Sequence, residues 1–162
     1  MTILDRIVAD KRDEVALLPE LSVSVELLKE KIAARGGVRP FQKALTSPRF
    51  GRLGLIAEVK KASPSVGVIC PDFDAVKIAQ AYEGGGASCL SVLTDEKYFQ
   101  GSLDYLKAIR EAVSLPLLRK DFVIDERQVL EGVEWGADAI LLIVAILDDD
   151  SLKHLHQLAS DA

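Results

Sequence analysis

Blocks of apolar residues alternate with amphipathic stretches from about residue 54 to the end of the sequence. The apolar blocks, rich in leucine, isoleucine and valine, cover residues 54–60, 89–93, 116–120 and 139–144. Apolar residues at helical spacing follow these blocks near 74–84, 102–113 and 125–135, and from about 149. A strand buried on both faces of a parallel sheet reads as a continuous aliphatic run. Such strands, alternating with helices, predict an α/β fold with a parallel sheet and right-handed crossovers.

The first 50 residues have helical spacing and no strand pattern of their own. Thr2 and Asp5 form a predicted capping box for a first helix, because a hydroxyl and a carboxylate three residues apart can each accept a backbone N–H bond. Ser24 is the predicted N-cap of a second helix, which a Gly-Gly pair ends. We therefore predict a helical N-terminal extension over residues 1–50 and a βα region over residues 51–162.

Two architectures fit the βα region: an open doubly wound sheet and a closed (β/α)8 barrel. A dinucleotide-binding sheet needs a glycine-rich turn directly after its first strand, whereas residues 61–65 read Lys-Ala-Ser-Pro-Ser. A barrel needs eight βα units in roughly 250 residues, and the apolar blocks of these 162 residues supply only the first ones. We therefore expect residues 51–162 to form the first half of a (β/α)8 barrel, with about four βα units.

Composition and charge exclude several classes of function. The net charge of −5 argues against nucleic-acid binding, because that requires a basic surface. The longest apolar stretch, residues 139–147, is far shorter than the roughly 20 residues of a membrane-spanning helix. Cys70 and Cys89 match no metal or redox spacing, and we expect Cys89 to lie in the core. The sequence therefore predicts a cytoplasmic protein without a metal site and without a membrane or nucleic-acid partner.

Two lysines close separate apolar blocks and are the first candidates for chemistry. Lys60 ends the first block and Lys120 ends the third. The carboxyl ends of parallel strands are where α/β folds place their ligands, so two cations there suggest an anionic substrate and a proton donor. Glu58 projects to the same side of its strand as Lys60, because residues two apart share a face. A structural salt bridge at the strand end is the alternative interpretation of this pair.

The placement of Lys120 depends on the direction in which its strand is turned. Arg119 and Lys120 are neighbours, so alternation sends them to opposite faces and only one of them can enter the mouth of a barrel. We favour Lys120, because Leu118 then continues the inward face. The alternative is that Arg119, Lys120 and Asp121 are only the polar start of a loop.

Polar and aromatic residues also fall in the loops that follow the strands. Ser63, beside Pro64 after the first block, can donate to an anion, although Ser-Pro turns are frequent in ordinary loops. Tyr98, Phe99 and Phe122 follow the second and third blocks, where they either pack over the strands or line a pocket for a flat substrate.

Three segments together closely resemble the indole-3-glycerol-phosphate synthase family. They are residues 55–65, with the Glu-Val-Lys-Lys-Ala-Ser-Pro run, residues 91–102, and residues 117–125, with the Arg-Lys-Asp-Phe run. The helical extension and residues 138–144 fit the same family. The resemblance implies a (β/α)8 barrel that closes the indole ring of 1-(2-carboxyphenylamino)-1-deoxyribulose 5-phosphate, with loss of carbon dioxide and water, in tryptophan biosynthesis.

The resemblance also implies roles for individual residues. Lys120 is expected to be the general acid that protonates the ketose oxygen, and Lys60 and Glu58 are expected to assist binding and the later dehydration. Ser63 is expected beside the substrate. The expected lining of the apolar pocket for the aromatic ring is Phe99, Phe122 and Leu141. No cofactor is expected, because a protonated lysine and the electrons of the ring suffice for this reaction.

Some features of the sequence depart from the family pattern. Val66 and Cys70 stand where the family often has basic residues. The family takes a catalytic glutamate from its fifth barrel strand and binds phosphate at its seventh and eighth strands, and this sequence contains none of these. We therefore expect the 162 residues alone to be inactive.

Two other functions stay open on the sequence alone. One is a non-catalytic half-barrel that serves as a binding or assembly module, and the other is a different phosphate-binding barrel such as phosphoribosylanthranilate isomerase. The sequence also leaves open a fusion to, or an association with, other enzymes of the tryptophan pathway.

Overall fold

The computed structural model describes residues 2–162. These residues form two compact units, each built from separate stretches of the chain. The sheet unit comprises Val38–Asp121 and Trp135–Ala139, and the helical unit comprises the residues up to Gly37, Phe122–Glu134 and Ile140–Ala162. The prediction that the domain organisation changes near residue 50 stays a prediction.

The secondary structure alternates as the sequence predicts. The helices are α1 (Ile3–Ala16), α2 (Val25–Ala34), α3 (Phe41–Thr46), α4 (Ala75–Gly84), α5 (Glu96–Phe99), α6 (Leu103–Ala112), α7 (Glu126–Glu134) and α8 (Asp149–Asp161). The strands are β1 (Ile56–Val59), β2 (Ala62–Ser63), β3 (Gly67–Val68), β4 (Cys89–Leu93), β5 (Leu117–Lys120) and β6 (Ala139–Ile140). Each of the four predicted apolar blocks contains one strand of the main sheet, and each predicted helical stretch contains a helix.

The main sheet has four strands in the order β1-β4-β5-β6. β1 pairs with β4 and β4 pairs with β5, in both cases parallel. The strands of consecutive βα units are thus neighbours, and the predicted α/β fold with a parallel sheet is confirmed. β2 and β3 form a separate two-stranded antiparallel hairpin directly after β1.

The fourth strand is shorter than its apolar block. The sequence predicts a strand over residues 139–144, but β6 ends at Ile140 and a 3-10 helix spans Val144–Ile146. β6 stands last in the strand order and so has a neighbour on one side only. The apolar block therefore spans the strand, the segment after it and the start of the 3-10 helix.

One face of the sheet packs against α4 and α6 and forms the core of the sheet unit. Successive residues of a strand point to opposite faces, so every second residue enters this core. The core side chains from the strands are Ala57, Val59, Leu90, Val92 and Leu117, and Leu106 and Ile109 meet them from α6. Burial of each leucine contributes about 1.5–3 kcal/mol. Because these residues point into the core, the alternate residues of β1 and β5 point to the opposite face of the sheet.

The helical unit confirms the capping signals in the sequence. Thr2 Oγ1 accepts a hydrogen bond from the backbone N of Asp5, and the Asp5 carboxylate accepts one from the backbone N of Thr2. Ser24 caps α2 through the backbone N of Leu27 at 3.1 Å. A separate core holds the unit together, with Leu28 of α2 fully buried in it. The other buried members are Val23, Val123, Val129, Leu130, Val133, Leu155 and Leu158. No helix within residues 2–162 is long and apolar enough to cross a membrane.

The turn after α5 needs a glycine for steric reasons. A Cβ on Gly101 would lie 2.4 Å from the backbone oxygen of Leu93 and 2.9 Å from that of Asp95. We therefore expect Gly101→Ala to displace the end of β4 and to lower the free energy of unfolding by roughly 1–3 kcal/mol. Urea denaturation measures this loss.

Gly84→Ala is the matched control for that substitution. A Cβ on Gly84, at the end of α4, meets nothing within 4 Å. We expect this change to stabilise the chain by about 0.4–1 kcal/mol, because alanine restricts the unfolded state. Equal effects of the two substitutions would contradict the steric argument.

Candidate active site

The carboxylate of Glu58 bridges two lysines at the carboxyl ends of β1 and β5. Lys60 Nζ lies 2.7 Å from Glu58 Oε1, and Lys120 Nζ donates to Glu58 Oε2 at 2.9 Å. Each of the three side chains is about a third exposed. The structure thus brings together the three charged residues that the sequence singles out.

The alternation of the strands explains why these side chains meet. Ala57 and Val59 of β1 are buried against the helices, which leaves Glu58 on the other face together with Lys60 just beyond the strand. In β5 the burial pattern also alternates, and Lys120 lies on the less buried face. The parallel register pairs Glu58 with Ser91 of the intervening strand β4. Because the Ser91 side chain is small, Glu58 can reach across β4 to Lys120.

The two lysines keep Glu58 ionised. Burial raises the pKa of the Glu58 carboxyl, but the hydrogen bonds and positive charges of Lys60 and Lys120 together lower it by more. The net pKa therefore lies below the ordinary range of a glutamate. At neutral pH the group is a carboxylate that holds two ammonium ions, and the three side chains together carry one net positive charge.

A buried polar cluster lies on the opposite face of the same strand ends. Arg119 Nε donates to Thr94 Oγ1 at 3.2 Å, Thr94 Oγ1 donates to Asp121 Oδ2 at 2.6 Å, and Arg119 Nη2 lies 3.1 Å from the same carboxylate oxygen. All three residues are buried, with at most 4% of each exposed. Thr94 was assigned no role from the sequence, and Asp121 was considered only as part of the polar start of a loop. The sequence did contain a signal for this cluster. If Lys120 points to the site, Arg119 points to the core, and a buried arginine needs an acidic partner.

A second buried carboxylate holds the amino-terminal end of β5. The side chain of Asp138 is fully buried and accepts hydrogen bonds from Arg110 Nη1 at 2.6 Å, from the backbone N of Arg39 at 2.8 Å and from that of Leu117 at 2.9 Å. This residue directly precedes β6 and was assigned no role from the sequence. Its contacts connect α6, the start of β5 and the segment before α3.

The remaining predicted site residues lie in different parts of the chain. Ser63 is part of the hairpin after β1, with its hydroxyl 3.4 Å from that of Ser65. Phe99 ends α5, which packs against β2 of that hairpin. Phe122 and Leu141 are half-buried residues of the helical unit, where the backbone oxygen of Phe122 accepts a hydrogen bond from Gln128 Nε2. A binding role for these four residues stays a prediction.

Two other titratable side chains, of a cysteine and a histidine, make contacts that fit a structural role. Cys89 is fully buried, as expected, and burial raises the pKa of its thiol to about 11. His154 Nε2 lies 2.8 Å from Glu126 Oε2 on the surface of the helical unit. Within residues 2–162 no group of three or more histidine, cysteine, aspartate or glutamate residues is placed to hold a metal ion.

Comparison with known proteins gives consistent matches to one family. A family model described as indole-3-glycerol phosphate synthase matches residues 4–162. The indole-3-glycerol phosphate synthase of Neisseria meningitidis serogroup B is 51% identical over 160 residues, which cover 98% of this chain and 61% of that protein. The enzyme of the same name from Geobacillus kaustophilus is 55% identical over 153 residues, covering 94% of this chain and 55% of the relative.

A third relative gives the same result, while solved structures match more weakly. The indole-3-glycerol phosphate synthase of Chlorobium luteolum is 54% identical over 164 residues, covering 99% of this chain and 61% of its own. The carboxyl transferase domain of Rhizobium etli pyruvate carboxylase aligns at 16% identity with a TM-score of 0.43, covering 86% of this chain and 32% of that structure. No conclusion about this chain follows from a likeness that weak.

The extent of the matches defines what the chain contains. The chain spans between 55% and 61% of the length of these relatives, while almost all of its own residues are matched. The parallel α/β sheet and the Glu58, Lys60 and Lys120 cluster both lie within the matched region. The chain belongs to the indole-3-glycerol phosphate synthase family.

Proposed function

We propose that this chain supplies the first part of an indole-3-glycerol-phosphate synthase. In this proposal β1, β4, β5 and β6 are the first four strands of a (β/α)8 barrel. The reaction closes the indole ring of 1-(2-carboxyphenylamino)-1-deoxyribulose 5-phosphate and releases carbon dioxide and water. The observation that carries the proposal is the carboxylate of Glu58 held between Lys60 and Lys120 at the carboxyl ends of the strands.

Lys120 is the general acid of the proposed reaction. The aryl carbon that bears the carboxylate attacks the ketose carbonyl carbon, and the carbonyl oxygen takes a proton from the Lys120 ammonium. Carbon dioxide then leaves from the ring carbon that made the new bond, and the electrons of the broken carbon–carboxylate bond restore the aromatic ring. The new hydroxyl then leaves with a proton from the adjacent methylene carbon as water, which forms the double bond of the indole. An ammonium has three N–H donors, so the bond from Lys120 to Glu58 leaves donors for the substrate.

Glu58 and Lys60 position the charges around this step. Because its pKa is lowered, Glu58 is a carboxylate at neutral pH and anchors both lysines rather than donating a proton. Lys60 supplies the second positive charge, which suits a substrate that carries a carboxylate and a phosphate. A charge-assisted pair is shorter and stronger than a neutral hydrogen bond, so the cluster holds the acid in place before the substrate arrives.

One polar and three apolar side chains are proposed to contact the substrate. No cofactor is proposed. Ser63, in the hairpin after β1, is proposed to lie beside the substrate. The proposed lining of the pocket for the flat ring is Phe99, Phe122 and Leu141. By the family pattern, a further glutamate from the fifth barrel strand and a phosphate site at the seventh and eighth strands complete the machinery. A polypeptide of these 162 residues alone is therefore expected to be inactive.

The direct test is to assay the full-length gene product with its proposed substrate. Purified protein is incubated with 1-(2-carboxyphenylamino)-1-deoxyribulose 5-phosphate, and formation of the indole ring is followed by fluorescence. We expect turnover by the full-length protein and none by the 162-residue polypeptide. A full-length protein that is folded but makes no product would contradict the function. Product formation by the 162 residues, lost on Lys120→Ala, would show that they carry a complete site.

A further inference from the structure

The buried face of β5 carries a cation directly beside the proposed acid. Arg119 and Lys120 are neighbours in a strand, so when one points into the core of the sheet unit the other points to the site. Both are long and positively charged, so charge alone does not decide which of them reaches Glu58. A rotation or slip of β5 by one residue would exchange the two side chains. Something must therefore fix the orientation of this strand.

Thr94 and Asp121 provide the fixed partners for Arg119. Thr94 follows β4, and its hydroxyl accepts from Arg119 Nε at 3.2 Å and donates to Asp121 Oδ2 at 2.6 Å. Asp121 lies two residues after Arg119, and its Oδ2 is 3.1 Å from Arg119 Nη2. The three side chains contact one another in a triangle, and only 3%, 4% and 4% of Arg119, Thr94 and Asp121 are exposed.

The triangle also connects to the backbone of Lys120 itself. The backbone N of Thr94 donates to the carbonyl oxygen of Lys120 at 3.1 Å. Thr94 therefore holds two successive residues of β5. Its hydroxyl is hydrogen-bonded to Arg119 and its backbone N–H to the carbonyl oxygen of Lys120. A buried guanidinium without a carboxylate is strongly disfavoured, so loss of Asp121 or Thr94 would draw Arg119 out of the core and disorder the strand end that carries Lys120.

From this geometry we infer that Thr94 and Asp121 are positioning residues that hold Arg119 on the buried face of β5 and so direct Lys120 to Glu58. They act through the orientation of the strand that carries Lys120. The inference rests on the proposed function, because Lys120 is the group that they position. It adds a device that selects one of two adjacent cations as the acid.

The first readout is the titration of the Glu58 carboxyl, followed by carbon-13 NMR in the full-length protein without substrate. In the parent chain the pKa of Glu58 is lowered by Lys60 and Lys120 together, against the effect of burial. We expect Asp121→Asn to move the pKa of Glu58 up toward its ordinary value, because Lys120 is no longer held against the carboxylate. A purely structural role would lower the unfolding temperature and leave the Glu58 titration as it was.

The double variant Arg119→Met with Asp121→Asn is the rescue. It removes the buried cation together with its counter-ion, so an apolar side chain occupies the core and β5 keeps its orientation. We expect the double variant to restore the low pKa of Glu58. In the full-length protein we expect kcat to fall about 10–100-fold in Asp121→Asn, with KM little changed, and to recover in the double variant.

Thr94→Val keeps the test decisive where Asp121→Asn fails to fold. Valine has the shape of threonine without its hydroxyl. We expect the pKa of Glu58 to rise in this variant too, but by less than in Asp121→Asn. Thr46→Val, which removes an exposed hydroxyl bonded to the backbone of Gln42, is the matched control and should leave the titration unchanged. An unshifted Glu58 in both Asp121→Asn and Thr94→Val, or a double variant as shifted as Asp121→Asn, overturns the inference.

The two readouts separate this inference from the proposed function. The titration needs no substrate and no activity, so a full-length protein without synthase activity would refute the proposed function while the NMR result still decided the role of the triangle. Conversely, an active full-length protein whose Glu58 titration is insensitive to Asp121→Asn would retain the function and refute the positioning role.

Discussion

Replacing Lys120 by alanine in the full-length protein is expected to lower kcat by about 10²–10⁴-fold. The substitution removes the only side chain that the proposal uses to protonate the ketose oxygen as the new carbon–carbon bond forms. Because that proton moves only in the transition state, KM should change much less than kcat. Steady-state kinetics of indole-ring formation measure both parameters, and circular dichroism checks that the fold is kept.

Lys77→Ala is the control for the loss of a lysine. Lys77 lies on α4, its side chain is 83% exposed, and it pairs only loosely with Asp74 at 3.3 Å. We expect this variant to keep the parent kcat. A Lys120→Ala protein with near-normal turnover would remove Lys120 from the role of acid, and Lys60 would then be the next candidate, since it contacts the same carboxylate.

Asp138→Ala is expected to cause the largest loss of stability, about 3–5 kcal/mol. The fully buried carboxylate neutralises Arg110 and accepts backbone hydrogen bonds from Arg39 and Leu117. Its removal leaves a cation and two backbone donors without this acceptor, and each unsatisfied buried group adds to the cost. Urea denaturation with two independent spectroscopic probes gives the free energy of unfolding of the parent and the variant.

The control for the loss of an aspartate is Asp72→Asn. Asp72 is exposed in the turn before α4, so its replacement should change the free energy of unfolding by no more than about 0.5 kcal/mol. If Asp138→Ala cost no more than this control, the buried carboxylate would contribute nothing net to the fold. The cost of burying the ion pair would then cancel its attraction.

The sequence predicted the features that depend on local periodicity. The apolar blocks located the four strands of the main sheet, and the caps at Thr2 and Ser24 marked the starts of α1 and α2. The position of Glu58 and Lys60 on one face follows from alternation within a single strand. The resemblance of three segments to indole-3-glycerol-phosphate synthase identified the family, and the isomerase alternative is not supported by the family match.

The features that were missed depend on partners far away along the chain. Thr94, a buried hydrogen-bond partner of Arg119, lies 25 residues before it in the sequence. Asp138 reads in the sequence as one more acidic residue before an apolar block, and its importance depends on Arg39, 99 residues earlier. Periodicity predicts a strand and its two faces, but not the hydrogen-bond and ion-pair partners that distant parts of the chain supply.

The discontinuous helical unit has a consequence for synthesis on the ribosome. Leu28 of α2 is fully buried in a core whose other members begin, apart from Val23, at Val123. At translation rates of about 5–20 residues per second, the apolar face of α2 leaves the ribosome roughly 5–20 seconds before those partners exist. During that interval the nascent chain presents an unsatisfied hydrophobic surface. Its first helices therefore depend on late-made residues, or on a chaperone, to stay out of aggregates.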